Sequence, residues 1–177
     1  MAGRIRGYIA CSLDGFIAGE GDDLSWLPQQ HPPPSPGTLS WEDFMADMGA
    51  LLMGRRTFDV VHAMDVDWPY TLPVLVATRR PLPSDAPEGV QAVAGTVEEL
   101  LSRSLEVAAG ADVYVDGGAL LQQVMAEGRL EELVVTYVST VLGAGVPLFA
   151  GPRRQLRMAK VVPYGDRMMQ VTLQPAE

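Results

Sequence analysis

Two glycine-bearing stretches have the residue order that lets a chain hold a phosphate. In Met53-Gly54-Arg55-Arg56-Thr57 an apolar run over 50–54 ends in glycine, and a helix-like segment from Thr57 to Met64 begins. Glycine lets the backbone approach a ligand closely. The first turn of a helix offers unpaired N–H groups and the positive end of its dipole. Thr57 is placed to cap that helix, and Arg55 or Arg56 to add a charge-assisted contact. Val115-Asp116-Gly117-Gly118-Ala119-Leu120 repeats the pattern, with a helix expected from Ala119 to Glu127. Two such helix starts on one sheet edge would grip the two ends of a pyrophosphate. A tight turn without a ligand accounts for either motif taken singly.

A third stretch, Thr78-Arg79-Arg80-Pro81, ends a predicted strand at 73–78 with a hydroxyl and guanidinium groups. That set suits a phosphate monoester, and a solvated loop start is the alternative. Asp14 sits in the loop after the first strand, where a turn residue bonding nearby backbone is the plain reading. Asp116, between Val115 and Gly117, is hard to explain by packing. Glu42 and Asp43 follow Trp41 at the start of a predicted helix, where surface acids that favour the dipole are the alternative. His31 and His62 are too isolated to share a metal site with other ligands. Cys11, the one cysteine, forms no internal disulfide.

Composition limits the classes of function. The chain has 177 residues and a net charge of −9. That charge argues against a nucleic-acid surface, because phosphate backbones select clustered Lys and Arg. It leaves room for a small anionic ligand, which needs only a few local donors. No apolar run approaches the ~20 residues of a membrane span, and Ser12 and Asp14 interrupt the apolar N-terminal run that a secretory signal would need. One cytoplasmic domain spanning 1–177 is the expectation, with no membrane and no nucleic-acid partner.

The elements that must position these residues alternate. Strands are expected at 4–11, 50–54, 73–78, 90–94, 112–115 and 132–142, with a terminal hairpin of 156–162 and 167–173. Ser40 is the expected N-cap of a helix over 41–49. Thr96 and Glu99 form a capping box before Val97, Leu100, Leu101, Leu105 and Ala108, and Gly110 ends that helix. The Pro-rich stretch 28–38 reads as an irregular loop. This alternation predicts an α/β sandwich with helices on both faces of a mixed, mainly parallel sheet and an antiparallel hairpin at one edge. Ligands bind such sheets beyond the carboxyl ends of the strands, where the glycine stretches fall.

Four motifs in register, S-L-D-G-F-I-A at 12–18, M-G-R-R-T-F at 53–58, V-D-G-G-A-L at 115–120 and G-A-G-V-P-L-F at 143–149, resemble the dihydrofolate-reductase superfamily. The nearest branch is the reductase domain of the bifunctional riboflavin-biosynthesis deaminase/reductase. The resemblance implies a three-layer dihydrofolate-reductase-like fold, NADPH as cofactor and a homodimer, with 132–142 and the terminal hairpin as candidate contacts. It implies that Gly54, Arg55, Arg56 and Thr57 meet the cofactor phosphates and that Thr78 and Arg79 lie by the adenosine end. Gly117, Gly118, Ala119 and Leu120 would receive the pyrophosphate, and backbone at Ala10 and Ile17 the nicotinamide carboxamide.

Hydride transfer also asks for a proton donor. Asp116 and Asp14 are the candidate catalytic acids, and Trp41, Glu42 and Asp43 the candidate substrate-binding residues. The riboflavin reductases carry a basic residue after S-L-D-G and Glu before the paired glycines. Phe16 and Asp116 stand there in this chain. The implied function is reduction of a small heterocyclic, imine or carbonyl substrate, similar to 5-amino-6-(5-phosphoribosylamino)uracil reductase. The alternatives are a pterin reductase of the dihydrofolate type and a binding module without catalysis.

Overall fold

The structure, a computed structural model, describes residues 3–28 and 33–176. Residues 29–32 of the Pro-rich stretch, His31 among them, therefore lie outside the described residues. The strands are β1 (Ile5–Ser12), β2 (Phe16–Ala18), β3 (Met48–Gly54), β4 (Val74–Ala77), β5 (Val90–Val93), β6 (Asp112–Asp116), β7 (Glu132–Val138), β8 (Val146–Pro147), β9 (Leu156–Tyr164) and β10 (Met168–Pro175). The helices are α1 (Trp41–Ala46), α2 (Arg55–His62), α3 (Val97–Ala108) and α4 (Gly118–Ala126).

Eight strands form one sheet in the order β5-β4-β3-β6-β1-β7-β10-β9. Neighbours from β5 to β7 run parallel, and β10 runs antiparallel to both β7 and β9. The strand alternation of side chains sorts the core into two layers. Ala50, Leu52, Val113 and Val115 point to the face covered by α3 and α4, where Leu101 and Leu121 pack on them. Leu51, Met53, Val74, Val76 and Tyr114 point to the opposite face, covered by Phe44 of α1 and Phe58 of α2. The expected mixed sheet with helices on both faces and a hairpin at one edge is the architecture observed.

Several element boundaries differ from the sequence reading. Helix α1 stops at Ala46, and β3 already begins at Met48. Gly49 explains this: a Cβ there would lie 2.4 Å from the Ala108 carbonyl, so the strand runs against the end of α3. Strand β7 ends at Val138, because the Thr140 N–H turns back to the Val138 carbonyl. The two-stranded pair β2–β8 was not anticipated, since pieces of three and two residues carry no periodicity.

The rim opposite the glycine turns is tied by charge. Arg6, only 4% exposed, donates to Asp47, Asp112 and Glu132, and its guanidinium lies 4.9 Å from the Phe44 ring centre. Burial would raise the Asp112 carboxyl, but the backbone and side-chain hydrogen bonds of Arg4 and that of Arg6 outweigh it and hold the group below the usual carboxylate range. A carboxylate held low adds stability that is present above its unfolded pKa of about 3.9 and is lost as pH falls through the depressed value. Asp112→Asn keeps an acceptor for the Arg4 N–H and removes the charge. We expect it to lower the free energy of unfolding at pH 7 by about 1–3 kcal/mol, with the gap to the parent chain closing below about pH 4. Urea unfolding at several pH values checks this, and a gap that stays constant down to pH 3 would contradict it.

Candidate functional site

The carboxyl ends of β1, β3, β4 and β6 open onto a cleft of about 700 Å³. Helix α2 leaves the sheet directly from Gly54, and α4 from Gly117. Both residues act as N-caps without a side-chain hydrogen bond, so the first-turn N–H groups of both helices are left for something else to satisfy. The two turns touch. A Cβ on Gly117 would lie 2.3 Å from the Thr57 hydroxyl and 3.8 Å from the Gly54 nitrogen, and Gly117 has a φ of +97° that favours glycine. Among the described residues, Gly54 faces open space, with no atom beyond its chain neighbours within 4 Å of where its Cβ would stand. Thr57 therefore does not cap α2: it is the third residue of the helix, and its hydroxyl fills the gap between the two glycine turns.

All twelve residues assigned from the resemblance to cofactor binding line this cleft: Ala10, Ile17, Gly54, Arg55, Arg56, Thr57, Thr78, Arg79, Gly117, Gly118, Ala119 and Leu120. Their chemistry is more particular than the sequence suggested. The Arg55 guanidinium is 2.7 Å from Asp59 and donates to the carbonyls of Arg80 and Pro81, fixing the loop after β4 to α2. Arg56 makes a two-pronged pair with Asp22, at 2.7 and 3.0 Å, across to the loop after β2. With both guanidiniums paired, the backbone N–H groups of α2's first turn are the donors left open at this rim. Arg79 is exposed, and Thr78 receives the Arg80 N–H at 3.0 Å.

Asp116 lies on the cleft wall at the end of β6. Burial pushes its carboxyl up to about 6, only partly countered by the Gly117 N–H at 2.8 Å and by the neighbouring Tyr114 hydroxyl. The Tyr114 hydroxyl also donates to the Tyr8 carbonyl at 2.9 Å, which fixes the phenol beside the carboxyl. Tyr70 is raised first by burial and then by the charge of Asp116. A carboxyl enclosed by phenols and opening on a cleft is suited to holding and releasing a proton near neutral pH.

The remaining sequence candidates are placed elsewhere. Asp14 does not line the cleft. Its carboxylate accepts from the Ser12 hydroxyl and from the N–H groups of Gly143 and Leu142, which hold it down at about 2. It carries no proton at neutral pH and serves instead to anchor the loop before β8. Glu42 and Asp43 are exposed and also lie off the cleft. Asp43 completes the Ser40 cap, its N–H and carboxylate both bonded to the Ser40 hydroxyl. Trp41 packs edge-on against Tyr8 and Tyr114, at 5.5 and 5.7 Å, as support behind the cleft wall.

The sequence reading missed Asp22, Leu24, Tyr8 and Tyr114 as lining residues. Tyr8 and Tyr114 sit mid-strand, and only knowledge of which face meets the cleft would have singled them out. The 143–149 motif is explained by packing. Gly145 passes against the Ala18 carbonyl, Leu148 is fully buried, and the Pro147 carbonyl with Ile17 presses on Gly118.

A mixed sheet with this strand order and two glycine-started helices at one rim defines the dihydrofolate-reductase-like fold. The chain belongs to the family of the RibD C-terminal domain, whose model matches residues 5–170. It is similar to the "Uncharacterized protein YwjB" of Bacillus subtilis, 29% identical over 80% of each chain. It also superposes on the crystal structure of a "Putative riboflavin biosynthesis protein" of Shewanella sp. PV-4, with a TM-score of 0.86 and 30% identity over 98% of this chain and 99% of that one. Two more distant structures share the fold. One is the diaminohydroxyphosphoribosylaminopyrimidine deaminase/5-amino-6-(5-phosphoribosylamino)uracil reductase of Thermotoga maritima, with a TM-score of 0.69 and 16% identity over 99% of this chain and 57% of that one. The other is the dihydrofolate reductase of Enterococcus faecalis complexed with NADP(H), with a TM-score of 0.65 and 17% identity over 100% of this chain and 99% of that one.

The glycine contacts predict unequal costs. Gly117→Ala forces a side chain into a positive φ and against Thr57, and should destabilise the fold by about 2 kcal/mol or more. Gly54→Ala meets nothing and should cost about 1 kcal/mol or less. Chemical denaturation of the two variants checks the order, and equal losses would contradict it.

Proposed function

We propose that this chain is an NADPH-dependent reductase that delivers hydride to the carbon of a C=N or C=O bond in a small heterocyclic substrate, with Asp116 as the proton donor. The observation that carries this reading is the junction of the two uncapped helix starts at Gly54 and Gly117, with a proton-holding carboxyl beside it. The residues fit a dinucleotide. A diphosphate laid across the junction would meet N–H groups of both helices, and the open space at Gly54 allows the approach. In this reading Thr78 and Arg79, which line the cleft after β4, would meet the adenosine end and its 2′-phosphate, and Ala10 and Ile17 the nicotinamide. The relatives' names, a uracil-type reductase and a reductase complexed with NADP(H), support the same direction.

NADPH bound in this way supplies the hydride from its nicotinamide C4. The chain's own part is to hold the proton. The Gly117 N–H orients the Asp116 carboxyl, the cleft keeps water from it, and Asp116 passes its proton to the substrate heteroatom as negative charge develops there. We also carry a homodimer as a proposal. Among the described residues β9 is paired only with β10, and its Met158 and Val161 are exposed, as an edge awaiting a second copy would be.

Fluorescence titration with NADPH tests the cofactor site. Gly54→Val should keep its circular dichroism and lose at least about tenfold in NADPH affinity, because only the approach of the diphosphate is blocked. Unchanged affinity would move the site away from the junction. The proton donor is tested by pH. Activity needs the protonated carboxyl, so kcat should fall as pH rises through about 6. Asp116→Asn should remove that inflection and lower kcat by about 10²–10⁴-fold, and a retained inflection in this variant would assign the proton to another group.

A further inference from the structure

We infer that the substrate taken beside Asp116 carries no phosphate: it is a planar C=N compound, neutral or cationic, accepted as the free base or nucleoside and not as the phosphate ester. This deepens the functional reading above and rests on it. The charged side chains lining the cleft, among the described residues, are Asp22, Arg55, Arg56, Arg79 and Asp116. Arg55 and Arg79 lie at the dinucleotide end, in the first turn of α2 and just after β4, while Arg56 reaches across to Asp22, two residues before Leu24, and is paired there with that carboxylate. Two of them are already satisfied, Arg55 by Asp59 and two carbonyls, Arg56 by Asp22.

The other part of the wall is apolar or phenolic. It is built from Tyr8, Leu24, Leu27, Val61 and Met64. A phosphate ester bound against this wall would lose its hydration without gaining an unpaired cation, since Arg56 is already held by Asp22, a loss that grows as the surroundings become drier. It would also face a carboxyl that becomes negative once its proton is given up. A phosphate-free ring loses nothing by comparison, because its flat apolar faces suit Leu24, Leu27 and Met64, and its C=N nitrogen can accept the Asp116 proton.

The chemistry closes on these terms. The hydride adds to the carbon of the C=N bond while NADPH is oxidised to NADP⁺. The π electron pair takes the Asp116 proton to form the N–H bond, and the carboxylate, held by the Gly117 N–H, regains a proton from solvent. The product is the saturated amine.

The test uses the parent protein saturated with NADP⁺ and a matched pair, 5-amino-6-ribosylaminouracil and its 5′-phosphate, beside a dihydropteridine free base as a phosphate-free cyclic imine. Binding is read by calorimetry and turnover by NADPH oxidation. The phosphate-free compounds should bind at least tenfold more tightly than the phosphate ester and account for the turnover. Leu24→Arg, which places a cation in the apolar wall, should narrow that discrimination at least fivefold. The proposal is overturned if the phosphate ester binds as well as or better than its nucleoside, or if no phosphate-free compound binds while NADPH does. Failure of NADPH itself to bind, read separately by cofactor fluorescence, would overturn the functional reading beneath it.

Discussion

The contact on which this molecule's cleft depends is the one between Thr57 and Gly117. The Thr57 hydroxyl occupies the space a side chain at 117 would need, so α2 and α4 can start within a few ångströms of each other only if 117 is glycine. That closeness brings two sets of unpaired N–H groups to a single spot at the carboxyl rim of the sheet. Each helix start carries a partial positive charge of about half an elementary unit, and neither has a side-chain cap to neutralise it. An anion there satisfies donors that the fold itself leaves open.

The sheet separates stability from chemistry by its two rims. At the amino-terminal rim Arg6 gathers Asp47, Asp112 and Glu132 from three neighbouring strands or their ends, so each carboxylate there has a cation partner. At the carboxyl rim Asp116 has no cation partner among the described residues. Burial raises its hold on a proton, where a salt bridge would have lowered it, and the Gly117 N–H and the Tyr114 hydroxyl offset only part of that rise. The same residue type thus does opposite work at the two ends of β6. Asp112 is fixed as an anion, and Asp116 is kept able to titrate.

Much of this was legible before any coordinates. The strand–glycine–helix sequence at 53–58 and 115–120 carries its own geometry, and the Thr96–Glu99 capping box appears as read, with both reciprocal bonds. The parts that were not legible share one cause, which is that they depend on contacts between distant segments. Asp14 and Asp43 looked available for chemistry because a sequence does not show which N–H or hydroxyl will claim a carboxylate. Arg55 and Arg56 looked free for the same reason. Tyr8 and Tyr114 were hidden inside strands whose apolar neighbours drew all the attention, and β2–β8 exists only because the 143–149 segment folds back onto Ala18 and Gly118.

The account stands or falls on a single anion bridging two helix starts, and amide hydrogen exchange on the free and NADPH-saturated protein reads that bridge residue by residue. The account predicts that the amides of Arg55, Arg56 and Thr57 and those of Gly118, Ala119 and Leu120 slow together on addition of the cofactor, while those of the Arg6 rim do not change. Slowing confined to one of the two helices, or to neither, would contradict it.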